Sequence, residues 1–206
     1  NKKNKVKDNA RYPLLQHQKV TKVLIIGGGN SSVEHLDAIK EYILLNPDMP
    51  LIFVTSRHAS YYNDLPNQKL YCLVGNEAKR LKHNISERNF NGICILAPYP
   101  RLMGTEVPSY AEEFTFELSE ITFTESFPDS CTTVALQTAL SFGAKEVYVV
   151  GYDGYKGEVL SEKEMDLSNE NKILFDDFKN KGCNEIISLT PSLYKNLNVI
   201  SLYQYL

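Results

Sequence analysis

The sequence predicts a doubly wound, mostly parallel, Rossmann-like α/β fold in three layers. Three observations carry it. Short apolar runs rich in β-branched residues recur along the 206-residue chain, as in strands buried on both faces. Segments with helical spacing and physical start signals separate them. The first apolar run then enters a glycine turn, "KVLIIGGGNSSVEH" at 22–35, at the edge where open α/β sheets take ligands.

The elements follow in order. Residues 1–19 read as a leader or linker ahead of one domain at 20–206. "NKKNKVK" puts four lysines in seven residues with no apolar periodicity. Starting at Asn1, it suits a linker inside a longer protein or the trimmed start of a free-standing domain. Val23–Ile26 is the first strand. Ser31 and Glu34 form an S-x-x-E capping box. Behind it Val33, Leu36, Ile39 and Ile43 share one helical face, and Pro47 ends the helix. Leu51–Val54, Leu70–Val74 and Ile93–Leu96 are the next strands. Segment 97–128 breaks the rhythm with Pro98, Pro100, Pro108 and Pro128, although Phe114, Phe116 and Leu118 alternate like a strand. Insertions of this kind often serve as lids or oligomer contacts.

Asp129 or Ser130 then caps a helix carrying Val134, Ala135, Ala139 and Phe142, which stops at Gly143. Val147–Val150 is a strand. Ser161 with Glu164 opens a helix that closes at Gly182. Ile186–Leu189 and Val199–Leu202 are the last strands.

Composition narrows the function. Hydrophobic residues are 43% and charged residues 23% of the chain, and the net charge is −3. That balance gives nucleic-acid binding no electrostatic support. No apolar run approaches the roughly 20 residues of a membrane helix, and no signal-peptide pattern is present. Cys72, Cys94, Cys131 and Cys183 form no C-x-x-C pair. They suit reduced thiols of a cytoplasmic protein rather than a metal cluster.

The glycine turn is the candidate site. Gly27, Gly28 and Gly29 allow close backbone approach. Helix N–H groups and the helix dipole favour an anion there, with Asn30, Ser31 and Ser32 as further donors. Gly29→Val is expected to block that anion and leave the fold largely intact. The match to the dinucleotide fingerprint is partial. Ser32 stands in the third glycine's place, which implies looser helix–sheet packing. The second strand ends "FVTSRH", with Ser56 and Arg57 where a ribose-binding acid belongs. Arg57 suits a phosphate or carboxylate. No G-K-[ST] follows, which excludes a Walker loop. Asn76 after the third strand, Thr132 and Thr133 at a helix start, and Asp153 after Val150 extend the same edge. Asp153 suits a sugar hydroxyl or base edge, or a plain Asp-Gly turn. Cys131 at a helix start suits a lowered pKa or a packed thiol. His58 suits a general base or a hydrogen-bonded loop histidine, and the latter is preferred.

"VLIIGGGNSSVEH", "SRHASYY", "CLVGNEAKRL" and "VYVVGYDGY" together resemble the domain that follows the barrel in bacterial HMG-CoA lyase-like aldolases, described as 4-hydroxy-2-oxovalerate aldolase-like. The resemblance implies an N-terminal aldolase barrel as partner and an accessory domain here that binds a nucleotide or other phosphorylated ligand. Aldolase chemistry would lie elsewhere, because the metal site of such lyases needs a barrel and an H-x-H that this chain lacks. A more distant resemblance, carried by Gly27–Ser32 and Gly151–Asp153, is to sialyltransferase-like and 6-hydroxymethylpterin diphosphokinase-like proteins. It implies a nucleotide or nucleotide-sugar ligand and a transferase. Sialyltransferase-like enzymes use a late histidine base, yet His17, His35, His58 and His83 all lie in the first half. An NAD-type domain is the third reading. No resident metal is expected, and oligomeric state stays open.

Overall fold

Each apolar run becomes a strand. The computed structural model, described over residues 20–101, 105–155 and 160–206, carries β1 Lys22–Ile26, β2 Leu51–Phe53, β3 Lys69–Leu73, β4 Ile93–Leu96, β5 Thr115–Glu117, β6 Glu146–Val150, β7 Ile186–Ser188 and β8 Asn198–Val199. All pair in parallel within one sheet, in the order β5-β4-β3-β2-β1-β6-β7-β8. The leader assigned to residues 1–19 lies outside the described residues.

Five helices among the described residues cover the sheet: α1 Ser31–Glu34, α2 Leu36–Leu44, α3 Glu77–Asn84, α4 Cys131–Ser141 and α5 Glu162–Asn180. Successive strand side chains point to opposite faces, so β1 serves two cores. Leu24 and Ile26 pack with Ile39, Tyr42 and Ile43 of α2 and Leu81 of α3. Val23 and Ile25 join Val134, Ala135 and Ala139 of α4 and Leu174, Phe175 and Phe178 of α5. The result is the expected three-layer α/β architecture.

The chain builds outward from β1 to β5. It then returns through α4 on the opposite face and lays β6 beside β1. The direction of winding therefore reverses between β1 and β6. In open α/β sheets that reversal is where a ligand crevice opens beyond the carboxyl ends of the strands.

Of the three helix caps expected from sequence, two form. Ser161 Oγ accepts the Glu164 N–H at 3.3 Å, and Glu164 Oε2 accepts the Ser161 N–H at 2.8 Å. Ser130, rather than Asp129, caps α4 by accepting the Thr132 N–H at 3.1 Å. The Ser31–Glu34 box does not form. Asn30 is the N-cap, and Ser31 sits inside the first turn with its hydroxyl bonded to a distant carboxylate. Because Ser31 is the first helical residue and not the cap, its hydroxyl does not stand over the free amides of the turn. The helix also breaks at His35, where φ is −107° and ψ is 23°, and restarts as α2. Ile39 and Ile43 are buried as expected, whereas Val33 and Leu36 are only half-buried.

Two other segments differ from expectation. The described part of 97–128 packs as sheet edge and core rather than as a lid. β5 extends the sheet, and Phe116, Leu118 and Phe123 enter the core. Buried Arg101 pairs with Glu117 and donates Nε–H to the Ala97 carbonyl at 2.8 Å. At the other edge only Val199 of the expected strand Val199–Leu202 pairs with β7, together with Asn198 before it, and the chain then turns through a 3-10 segment at Leu202–Gln204.

The Ser161 box is exposed and local, so it isolates the value of a cap. Ser161→Ala should lower the unfolding free energy by about 1 kcal/mol in a urea titration. An unchanged midpoint and slope would show that α5 is held by packing alone.

Candidate functional site

At the reversal, the turn after β1 and the loop after β6 lie flush. The Gly27 N–H donates to the Val150 carbonyl at 2.8 Å, and the Gly29 N–H to the Gly151 carbonyl at 2.9 Å. A Cβ on Gly29 would sit 2.6 Å from the Gly151 oxygen and 2.7 Å from the Asp153 Cγ. Gly151 has φ +72°, and a Cβ there would meet the Ser32 Cβ at 2.9 Å. Ser32, in the third glycine's place, is fully buried, and Gly151 leaves room for its side chain. Gly29→Val would not leave the fold intact. Its side chain would collide with backbone, the costly kind of overpacking.

The first helical amide does meet an anion, and that anion is internal. Asp153 Oδ2 accepts the Ser31 N–H at 3.0 Å, and Oδ1 accepts the Ser31 hydroxyl. Ser31 Oγ also hydrogen-bonds Thr190 Oγ1 at 2.8 Å, and Thr190 Oγ1 accepts the Gly151 N–H at 3.1 Å. Ser31 thus joins the ends of β1, β6 and β7. A phosphate drawn to this amide would face a carboxylate already bound there, and like charges repel strongly at such range.

Ser32 is fully buried and equally committed. Its hydroxyl donates to the Gly29 carbonyl at 2.8 Å and lies 3.0 Å from His58 Nδ1. Tyr62 Oη donates to the Ser32 carbonyl at 2.8 Å. His58 is a hydrogen-bonded loop histidine, as preferred from sequence, and it sits beside the Gly27–Ser32 turn. Burial first, and then the Arg57 charge, hold its pKa below the usual histidine value, against an opposing pull from Asp153.

The remaining residues sort by geometry. Gly28 and Gly29 are half-exposed and Gly27 is buried, while Asn30 and Arg57 are exposed at the rim. Ser56 is buried; its N–H donates to Glu77 Oε2 at 3.2 Å, and its Oγ accepts from Asn84 Nδ2 at 3.2 Å. Glu77 also accepts from Thr55 Oγ1 at 3.3 Å and pairs with Arg80. The β2 end therefore has an acid nearby, supplied by α3 rather than by its own strand. Exposed Asn76 is the α3 N-cap without a side-chain cap bond. Thr132 Oγ1 bonds Asn171 Oδ1 at 2.8 Å and Tyr152 Oη at 3.1 Å, linking α4, α5 and the β6 end. Thr133 stands apart, fully buried and donating to the Phe127 carbonyl at 2.8 Å. Burial pushes the Cys131 thiol well up rather than down, which makes it a packed thiol, and it pushes Cys94 to about 12.

Among the described residues no group of three or more His, Cys, Asp or Glu side chains is placed to hold a metal ion. No described helix is long and apolar enough to cross a membrane.

No family model matches the chain, and no curated protein matches it. A solved structure does: the Maf glycosyltransferase from Magnetospirillum magneticum AMB-1, with a TM-score of 0.61 and 17% identity over 89% of this chain. The chain spans 34% of that protein's length. At this identity the likeness is one of fold, a Rossmann-like α/β sheet shared with a glycosyltransferase.

The Ser31–Asp153 contact yields a direct test. Ser31→Ala removes a hydrogen bond to a charged acceptor and should cost roughly 1.5–3 kcal/mol of stability. In a double-mutant cycle Ser31→Ala should cost much less once Asp153 is alanine. Additive losses would mean that the two side chains do not act together.

Proposed function

We propose that the chain binds a nucleotide sugar over the β1–β6 reversal and acts in glycosyl transfer. One observation carries the reading: the glycine turn presents a carboxylate, Asp153, where a dinucleotide-binding domain would present bare amides. A carboxylate only accepts hydrogen bonds. It suits the hydroxyls of a sugar or ribose and repels phosphate.

The phosphate then needs another partner. Arg57 is exposed at the end of the neighbouring strand, and both Arg57 and Asp153 lie near enough to His58 to bias its ionisation. A guanidinium binds phosphate oxygens through two parallel N–H bonds. A hydroxyl-accepting carboxylate beside a phosphate-binding guanidinium describes a ligand with a polyol end and a phosphate end. A nicotinamide dinucleotide fits less well, because its pyrophosphate would rest on the turn against Asp153. The fold likeness to a glycosyltransferase supports transfer as the reaction class. An accessory domain on an aldolase barrel would use the same crevice for binding and leave the ligand intact.

Calorimetric titration tests the ligand class. Uridine, guanosine and cytidine nucleotide sugars should include a binder, and NAD should bind worse than the best of them. Arg57→Ala should weaken that binder roughly ten- to a hundredfold, the value of one charge-assisted contact. Equal binding by Arg57→Ala, or NAD as the tightest ligand, would overturn the reading. Release of free sugar or transfer to an acceptor separates a transferase from a binding domain.

A further inference from the structure

The two hydrogen bonds of Ser32 determine which nitrogen of His58 carries a proton. A serine hydroxyl has one proton. Ser32 gives it to the Gly29 carbonyl at 2.8 Å, because a carbonyl can only accept. Toward His58 Nδ1, 3.0 Å away, the same oxygen must therefore act as acceptor. Nδ1 is then the N–H, and the lone pair of the neutral ring lies on Nε2. Nε2 has no hydrogen-bond partner among the described residues, and the ring is half-buried rather than sealed.

We infer that His58 is the proton acceptor beside this glycine turn, with Nε2 as its basic atom and Ser32 as the residue that holds it in that tautomer. The groups facing the ring agree with this role. Arg57 disfavours the imidazolium, Asp153 favours it, and the Tyr61 ring lies 6.2 Å away. Burial and Arg57 outweigh Asp153 and favour the neutral ring.

The inference rests on the glycosyl-transfer reading for its reaction. An acceptor hydroxyl gives its proton to Nε2 while its oxygen bonds the anomeric carbon of the donor sugar. The bond from that carbon to the phosphate oxygen breaks, and the leaving phosphate takes the electron pair beside Arg57. The imidazolium then returns its proton to solvent.

Two measurements test the inference, and the first needs no ligand. Long-range ¹H–¹⁵N NMR of the imidazole at neutral pH should show a protonated Nδ1 and a bare Nε2, with a titration midpoint below the usual histidine range. Ser32→Ala should erase the tautomer preference. A ring protonated on Nε2, or doubly protonated at pH 7, would overturn the inference whatever the reaction proves to be.

The second measurement uses the best donor among the uridine, guanosine and cytidine nucleotide sugars. His58→Asn keeps a side-chain N–H near the Nδ1 position but removes the base. It should bind the donor with parental affinity, lose roughly 10²- to 10⁴-fold in kcat, and lack the acid limb of the parental pH–rate profile. A folded His58→Asn that turns over at the parental rate would overturn the role. If the parent turns over no donor, the transfer reading fails, and the NMR result alone decides the tautomer and basic atom.

Discussion

The carboxyl edge of the sheet depends on one interaction, the Asp153 carboxylate bound to the amide and hydroxyl of Ser31. It joins the loop after β6 to a helix start 122 positions earlier. Thr190 extends the junction to the end of β7. Charge-assisted bonds of this kind are worth roughly 1.5–3 kcal/mol each against the loss of a partner, enough to decide the local conformation. Ser31 is the first helical residue behind Asn30, and the Ser31–Glu34 capping box does not form. Because the loop after β6 is drawn in, Gly27, Gly29 and Gly151 must be glycine to let the backbones meet. The same carboxylate gives the crevice its charge character.

The scaffold was legible in the sequence because its signals are local. β1, β2, β3, β4 and β6 are short apolar runs covered on both faces, and burial on both faces removes the need for polar alternation. Ser130, Ser161, Gly143 and Gly182 mark helix ends through hydrogen bonds or backbone angles that span a few residues. At Ser31 the hydroxyl is held by partners far away in the chain, Asp153 and Thr190. Segment 97–128 misled because its prolines suggest a loop, whereas burial of Phe116 and Leu118 makes it sheet edge.

The site was half legible for the same reason. Glycines after the first strand and Asp153 after the sixth do fall together, since an α/β sheet collects the carboxyl ends of its strands at one edge. Nothing in the sequence says that Asp153 fills the position an external anion would take. His58 shows a second limit. A histidine base expected late in the chain is an argument from sequence order, whereas catalytic groups are recognised by geometry. The fold brings a loop histidine from the β2 end to Ser32 and within the influence of Asp153. Glu77 likewise reaches the β2 end from α3. The fold itself is compatible with many chemistries, so the weight rests on these side chains.

The central claim is that ligand binds across the reversal with the Ser31–Asp153 contact intact and its phosphate at Arg57. Amide chemical-shift mapping during titration with the best-binding nucleotide sugar tests this most directly. The account predicts the largest shifts at residues 28–30, 55–58 and 153–155, with the Ser31 amide still hydrogen-bonded to Asp153. Shifts centred at the opposite, amino-terminal end of the strands, around residues 46–49 and 67–69, would contradict it. So would a Ser31 amide that exchanges Asp153 for the ligand's phosphate.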